Sequence, residues 1–446
     1  MWGADIVMIG FAGLSHLGIV SSIAIASKGF EVMAHDPDLD LCQSLRDKRL
    51  PLFEPELENL LEKSQPRIDF SEDVNDLAGC NPIFISADVP TDEYNRSDLS
   101  AIRGLTEKVA KASKGSILVV LSQVTPGFTR AIATAMQQWG LDGSRLFYQV
   151  ETLIFGRAVE RALSPERYIV GCSDPKQPLP QAYSQLLSSF KCPILLMRYE
   201  SAELAKLSIN LFLSASLGVT NSLAELASAI GADWSEIEPT LKLDKRIGPH
   251  AYLKPGLGIG GGNLERDLVT VKNLAGEYGT NARVIHSLIQ DSRYRSEWVL
   301  RVLYAELLSK KPRASIGLWG LAYKAGTRSI KNSPALALIA SLNSVPIKAY
   351  DPQVQLTWPN LAQTKSALEA CRQADALVIM APWTEFTTVE LSAVRQHLRG
   401  RLIVDPFGTL NPRRCQEEGL IHRKLGSSLT FGSKNIDSEV SVPDYT

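Results

Sequence analysis

A chain of 446 residues exceeds one ordinary domain and, at about 100 to 200 residues each, holds two or three. Hydrophobic residues make up 45% and charged ones 21%, and 47 Lys plus Arg against 48 Asp plus Glu leave a net charge of -1, so the balance demands neither a nucleic acid nor an anionic membrane as partner. The six cysteines (Cys42, Cys80, Cys172, Cys192, Cys371, Cys415) are scattered with no C-x-x-C pair and no His spacing for zinc, so a reducing compartment is the simplest reading and no metal site is expected.

The opening MWGADIVMIGF carries an Asp and no Lys or Arg ahead of its apolar run, the wrong charge order for a signal peptide. No stretch reaches about 18 uninterrupted apolar residues, and the protein is expected in the cytoplasm, off the membrane. Over the first 195 residues, short β-branched runs at 6–11, 31–35, 83–87, 117–121, 146–149 and 168–170 alternate with amphipathic segments, as a parallel α/β sheet requires. One long helix is predicted over 201–230, with Leu204, Leu207, Leu211, Leu213 and Leu217 along it, and so apolar a helix needs a partner surface. After a loop of Gly, Pro and Arg at 243–262 comes more helix. A second strand set then begins near Ala314: ASIGLWG, VPIKAYD, ALVIMA and RLIVD. No internal repeat is detectable in the letters. The tail from Ser427 is polar and is expected to be weakly ordered.

The expectation is an α/β protein with two Rossmann-like doubly wound domains, 1–195 and 301–446, joined by a long central helix and a helical middle, 196–300. The first strand runs into GFAGLSHLG, where Gly13, Ser15 and Gly18 keep the spacing of the dinucleotide fingerprint, with Ser in place of its second Gly. Small residues are needed there because the backbone must approach a pyrophosphate that rests on the following helix N-terminus. Asp36, about 20 residues on at the end of the second strand, can accept both ribose hydroxyls and would repel a 2′-phosphate, which favours NAD over NADP.

Seven further segments occur in one order: IFISADVPTD followed by DLS, SQVTPGFT, ELAKLSINLF, RIGPHAYLKPGLGIGGG, GLAYKAGTRSIKNSPA, YDP and APWTEF. With these the chain resembles the UDP-glucose/GDP-mannose dehydrogenase family over almost its whole length. The resemblance implies NAD-dependent oxidation of a nucleotide sugar, usually at C6, by two hydride transfers, in polysaccharide or glycoconjugate synthesis. It also implies NAD in the N-terminal domain, the nucleotide in the C-terminal domain, and a homodimer paired through the central helix.

By that resemblance Lys206 is the active-site lysine that stabilises an alkoxide and oxyanion. Asn210, one turn later, positions a water or the sugar. Asp267 helps activate water, and Glu151 is the first acid of a loop whose second acid is here Phe155. Pro90, Thr91 and Ser122 are implied at the cofactor, as are Arg266 and Lys331 near its pyrophosphate. Leu153, Tyr252, Leu253, Lys254, Gly260 and Lys324 are implied at the substrate, and Arg246 at the partner subunit's sugar site. The family writes G-F-G-G-S-C where this chain reads Gly258 to Gly262 and then Asn263. An amide cannot form the thiohemiacetal and thioester that the second oxidation uses. Also, Pro406, Phe407 and Gly408 follow Asp405 where the family offers Arg or Asn. Three outcomes stay open: a dehydrogenase that stops at the carbonyl, one that oxidises the hydrated aldehyde, or a protein that binds without turnover. An enzyme that oxidises transiently and regenerates its NAD is a further alternative.

Overall fold

The computed structural model describes residues 8–92 and 95–427. Eight strands form the first sheet: β1 (Met8–Ala12), β2 (Glu31–His35), β3 (Ile68–Ser71), β4 (Ile83–Ile85), β5 (Leu118–Val120), β6 (Leu146–Gln149), β7 (Tyr168–Cys172) and β8 (Ile194–Arg198). They lie in the order β3-β2-β1-β4-β5-β6-β7-β8. Every pair is parallel except β6 with β7. Strands such as ILVVL and IFI are apolar on both faces because helices cover both. Phe11, Ile19, Ile23, Phe84 and Tyr183 belong to one core cluster, while Ile83, Val109, Leu118, Ile132 and Tyr148 belong to another.

Six strands form the second sheet: β9 (Ile316–Trp319), β10 (Ile347–Tyr350), β11 (Leu361–Gln363), β12 (Ala376–Ile379), β13 (Leu402–Val404) and β14 (Ile421–Arg423). The order is β11-β10-β9-β12-β13-β14, all parallel. Numbered from its own start this is 3-2-1-4-5-6, the order of the first six strands of the other sheet and of doubly wound dinucleotide-binding folds.

The two sheets repeat each other in detail, and the expectation of no detectable repeat is corrected by the letters themselves: Ile-Gly-x-x-Gly-Leu at 9–14 and 316–321, and Ala-x-Asp-Pro at 34–37 and 349–352. After β1, Gly13 takes φ +93 and donates to His35 O at 2.9 Å; after β9, Gly320 takes φ +92 and donates to Tyr350 O at 2.8 Å. A Cβ would lie 2.6 Å from the Ala87 nitrogen in the first case and 2.6 Å from the Ala381 nitrogen in the second, so only glycine fits either turn. In both, the next residue's amide donates to an aspartate beyond the second strand: Leu14 N to Asp36 Oδ2 and Leu321 N to Asp351 Oδ2, each at 2.7 Å.

The predicted long helix runs over Tyr199–Ile230, 32 residues, and by length and composition alone it could cross a membrane. The chain divides into two compact units. One holds the described residues up to Leu211 with Arg266–Ala282, and the other holds Phe212–Glu265 with the described residues from Arg283 onward. The division therefore cuts the long helix and the helix Asn263–Glu277, and the span 196–300 is shared between the units rather than compact by itself. The strand expected at 6–11 is described from Met8. The tail expected to be weakly ordered lies, from residue 428 on, outside the described residues.

Candidate active site

The first unit gathers its charged side chains at the start of the long helix. Glu203, fully buried, accepts from Gly127 N at 2.6 Å and Thr129 N at 2.9 Å. It thereby caps the helix Phe128–Gln138 and fixes the segment after β5 that carries Gln123. Burial pushes the Glu203 carboxyl up, against the hydrogen bonds from Thr129 and Gly127.

Lys206 follows three residues later and Asn210 one turn after that, so both project to one side. They meet Asp267, 1% exposed, from the helix Asn263–Glu277. Asn210 Nδ2 donates to Asp267 Oδ2 at 2.5 Å and Gln123 Nε2 donates to Oδ1 at 2.6 Å. Arg266 Nε stands 3.4 Å from the same Oδ1, and its Nη2 donates to Gln123 Oε1. Three side-chain donors thus lock the carboxylate in one orientation.

Glu151 follows β6 and accepts from the Thr152 and Leu153 amides, each at 2.5 Å, while Arg161 Nε holds Thr152 O at 2.7 Å. Burial pushes the Glu151 carboxyl up, against the charge of Lys206 and the Leu153 and Thr152 amides. Burial likewise pulls the Lys206 ammonium below its ordinary range, against Asp267 and Glu151, with Arg266 and Arg161 adding to the depression. A lysine held beside two acids in this way can stabilise a developing oxyanion, and its burial eases the loss of its proton.

The glycine turn before the helix His16–Ser27 fits a pyrophosphate. A Cβ at Gly18 would lie 2.1 Å from Gly13 O, so the helix packs directly on the turn, and Ser15 Oγ is tied to Ser86 O at 2.7 Å. Asp36 takes Leu14 N on one oxygen and Asp38 N on the other, at 2.7 and 3.1 Å, and each oxygen keeps a lone pair for a ribose hydroxyl. In the second unit the corresponding Asp351 accepts from Leu321, Ala322, Gln353 and Val354 amides and from the Trp383 indole. That carboxylate is spent on its own fold.

Pro90 is exposed, and Thr91 bridges to Ser97. Ser122 is buried, its hydroxyl donating to Ala87 O at 2.5 Å, so it ties together the loops after β4 and β5. Arg266, read from sequence as a pyrophosphate contact, is buried with its guanidinium on Gln123 and Asp267.

The other predicted residues lie in the second unit. Arg246 folds back on Asp244 at 2.7 and 3.0 Å on an exposed surface. The segment carrying Tyr252, Leu253 and Lys254 is anchored on the long helix, since Tyr252 O accepts from Ser216 and Thr220 and Gly256 N donates to Asn221. Leu253 is buried and its carbonyl takes the Trp234 indole N–H at 2.8 Å, while Tyr252 and Lys254 stay exposed. A Cβ at Gly260 would lie 3.4 Å from the Tyr323 ring, and one at Gly262 3.5 Å from Lys331 Nζ. Lys324 Nζ sits 5.7 Å from the centre of the Tyr323 ring. Asn263 is exposed at the start of its helix.

Gln123, Glu203 and Glu54 were not foreseen from sequence. Gln123 stands at the carboxyl end of β5, where doubly wound sheets place ligands, and within the segment SQVTPGFT, the two signals that could have found it. Glu54, with its side chain wholly buried, accepts from Gly156 N at 3.0 Å and Ala158 N at 3.2 Å and pairs with His16 Nε2 at 2.8 Å.

Three domain profiles of the UDP-glucose/GDP-mannose dehydrogenase family match the chain in order. They are the NAD binding domain over residues 7–191, the central domain over 200–292 and the UDP binding domain over 317–412. A UDP-glucose 6-dehydrogenase of Rickettsia typhi is 28% identical over 440 residues, covering 94% of this chain and 100% of that protein. One of Bacillus subtilis is 26% identical over 442 residues, covering 96% and 95%. Among solved structures, a UDP-D-ManNAc dehydrogenase from Pyrococcus horikoshii matches with TM-score 0.83 at 25% identity over 95% of this chain and 100% of that one. A UDP-glucose dehydrogenase from Pyrobaculum islandicum shares the fold, with TM-score 0.83 at 23% identity over 96% and 99%.

Proposed function

The chain belongs to the UDP-glucose/GDP-mannose dehydrogenase family and is an NAD-dependent nucleotide-sugar dehydrogenase; from that premise we propose that it oxidises C6 of a UDP- or GDP-linked hexose and stops at the carbonyl. Bound NAD supplies the hydride acceptor. The Gly13, Ser15 and Gly18 turn and the amides opening the helix His16–Ser27 would hold the pyrophosphate, and Asp36 the ribose hydroxyls. Pro90, Thr91 and Ser122 would close the same end of the sheet.

Lys206 lowers the energy of the alkoxide at the reacting carbon, a contribution of about 3 kcal/mol by analogy with single oxyanion donors. Asp267, aligned by Gln123, Asn210 and Arg266, offers a fixed acceptor to the water that takes the proton. Glu151 holds the Thr152 and Leu153 amides and lends its charge to Lys206. Arg246, Tyr252, Leu253, Lys254, Gly260 and Lys324 would contact the nucleotide sugar, and the shape of their loop selects base and sugar.

One observation carries the stop at the carbonyl: with an amide at Asn263, no other thiol is activated to replace a sulfur nucleophile. Burial pushes Cys80 up to about 11 and Cys371 and Cys415 to about 12, and it also raises Cys42, Cys172 and Cys192. The thiolate is the nucleophilic form. Exposed Phe212, Val219, Leu223, Leu226 and Ile230 recur on the long helix at spacings of seven, four, three and four, one narrow stripe that supports pairing with a second copy. We place the reaction in the cytoplasm, feeding polysaccharide or glycoconjugate synthesis.

The test is a panel of UDP- and GDP-hexoses deuterated at C6, incubated with the protein and NAD. The reading predicts deuterium in the NADH and a product lighter by one deuterium and one proton, about three mass units, at one sugar carbon. NADH formed without deuterium, or none with any sugar, would overturn it.

A further inference from the structure

We propose that Glu54 is a positioning residue that couples the cofactor turn to the loop 150–157, holding His16 at one end and the Gly156 and Ala158 amides at the other. This rests on the reading above, in which Glu151 and Leu153 of that loop act on the nucleotide sugar.

Glu54 comes from the segment between β2 and β3, far in sequence from the His16, Gly156 and Ala158 groups that its side chain binds. A carboxylate with no exposed side-chain surface is costly unless it is fully paired. Here it gathers His16 Nε2 at 2.8 Å, Gly156 N at 3.0 Å to each oxygen and Ala158 N at 3.2 Å. Burial alone would raise its carboxyl. The bonds from His16, Gly156 and Ala158 outweigh burial and hold it below the usual range, so it remains a charged acceptor at neutral pH.

His16 is the first residue of the helix whose opening amides are built to meet a pyrophosphate. Its imidazole also packs on the Phe155 ring, with centroids 4.4 Å apart and planes at 49°. Two side-chain contacts therefore run from one residue of the cofactor turn to two neighbouring positions of the loop: His16 to Phe155 directly, and His16 through Glu54 to Gly156. Phe155 stands where the resemblance puts the loop's second acid. Any shift of the turn as it closes on the cofactor moves the acceptor of the Gly156 and Ala158 amides, and by linkage loop order feeds back on the cofactor.

The test is hydrogen exchange at the Gly156 and Ala158 amides of the full chain, with and without saturating NADH. The proposal predicts that NADH slows exchange there by about tenfold, the scale of ordinary coupling between sites. In His16→Ala, at its own saturating NADH, the slowing drops below about twofold. A second variant, Phe155→Leu, keeps bulk, removes the ring contact and reduces the slowing part of the way. A purely structural role would raise exchange equally with and without NADH and leave the ratio unchanged. That outcome overturns the proposal, as does an absence of slowing in the parent protein. The readout needs only NADH, so a failure to oxidise any sugar would strike the proposed function and leave this measurement standing.

Discussion

Lys206 carries a charge that its burial opposes. Because its folded-state pKa lies below the ordinary lysine value of 10.5, the unfolded chain binds more protons over the interval between them, and stability rises with pH through that interval. The ammonium is therefore a cost to the fold at neutral pH and a gain to the chemistry. Lys206→Met should lower kcat by about 100- to 1,000-fold while leaving thermal stability at neutral pH equal or higher; a variant within tenfold of the parent kcat would remove Lys206 from the reaction. Activity in the parent should fall as pH rises through the depressed pKa, and Lys206→Arg, which cannot deprotonate, should lose that alkaline limb. Asn263→Cys should allow acid to appear in the product mass spectrum; aldehyde alone would mean that more than the thiol is missing. Lys206, Asn210 and Asp267 were legible in the letters because two of them stand at i and i+4 in a recognisable segment. Gln123 was not, since a lone amide after a strand acquires meaning only when folding brings it 2.6 Å from Asp267. Arg266 was read near the pyrophosphate from its place in the resemblance, and its bonds to Gln123 and Asp267 were not visible in the letters.

At the scale of elements, the long helix does more than present a lysine. Glu203 reaches across to the amides of Gly127 and Thr129, so the helix Phe128–Gln138 and the segment with Gln123 are fixed by the element that carries Lys206. Glu203→Ala leaves the buried Thr129 amide without an acceptor, at a cost of about 1–3 kcal/mol, and frees the half-buried Gly127 amide as well. Denaturant unfolding should register that loss, and kcat should fall with it as Gln123 drifts from Asp267. Unchanged kcat would show that the segment is held by other means. The predicted strands appeared where β-branched or other apolar residues fill both faces, as in β4, β5 and β13. β3, β8, β11 and β14 escaped: three-residue LAQ and IHR are too short to show a period, and β8 is half exposed at the sheet edge. Propensity is weak where neighbours, not sequence, supply the pairing.

At the scale of the whole molecule, two sheets of the same winding carry the same Gly, Leu and Asp turn, yet the two aspartates differ in use. Asp36 keeps acceptor capacity toward solvent, whereas Asp351 gives its oxygens to five donors of its own domain. Only the first unit is thus equipped to take a ribose in the manner of a dinucleotide site. The repeat, not recognised from sequence, leaves a short trace in the letters, since Ile-Gly-x-x-Gly-Leu stands at 9–14 and 316–321 and Ala-x-Asp-Pro at 34–37 and 349–352, where the turn fixes the residue types. Phe212 is 79% exposed and Ile230 67%, and if their stripe joins two copies, Leu223→Glu should convert a dimer to a monomer in sedimentation equilibrium. A parent protein already monomeric would refute the pairing. The account's central claim is that hydride leaves a sugar carbon beside Lys206 with no sulfur nucleophile to carry a second oxidation. Counting NADH against nucleotide sugar consumed, to completion with excess NAD, tests it most directly: one NADH per sugar is the predicted result, and two would contradict it.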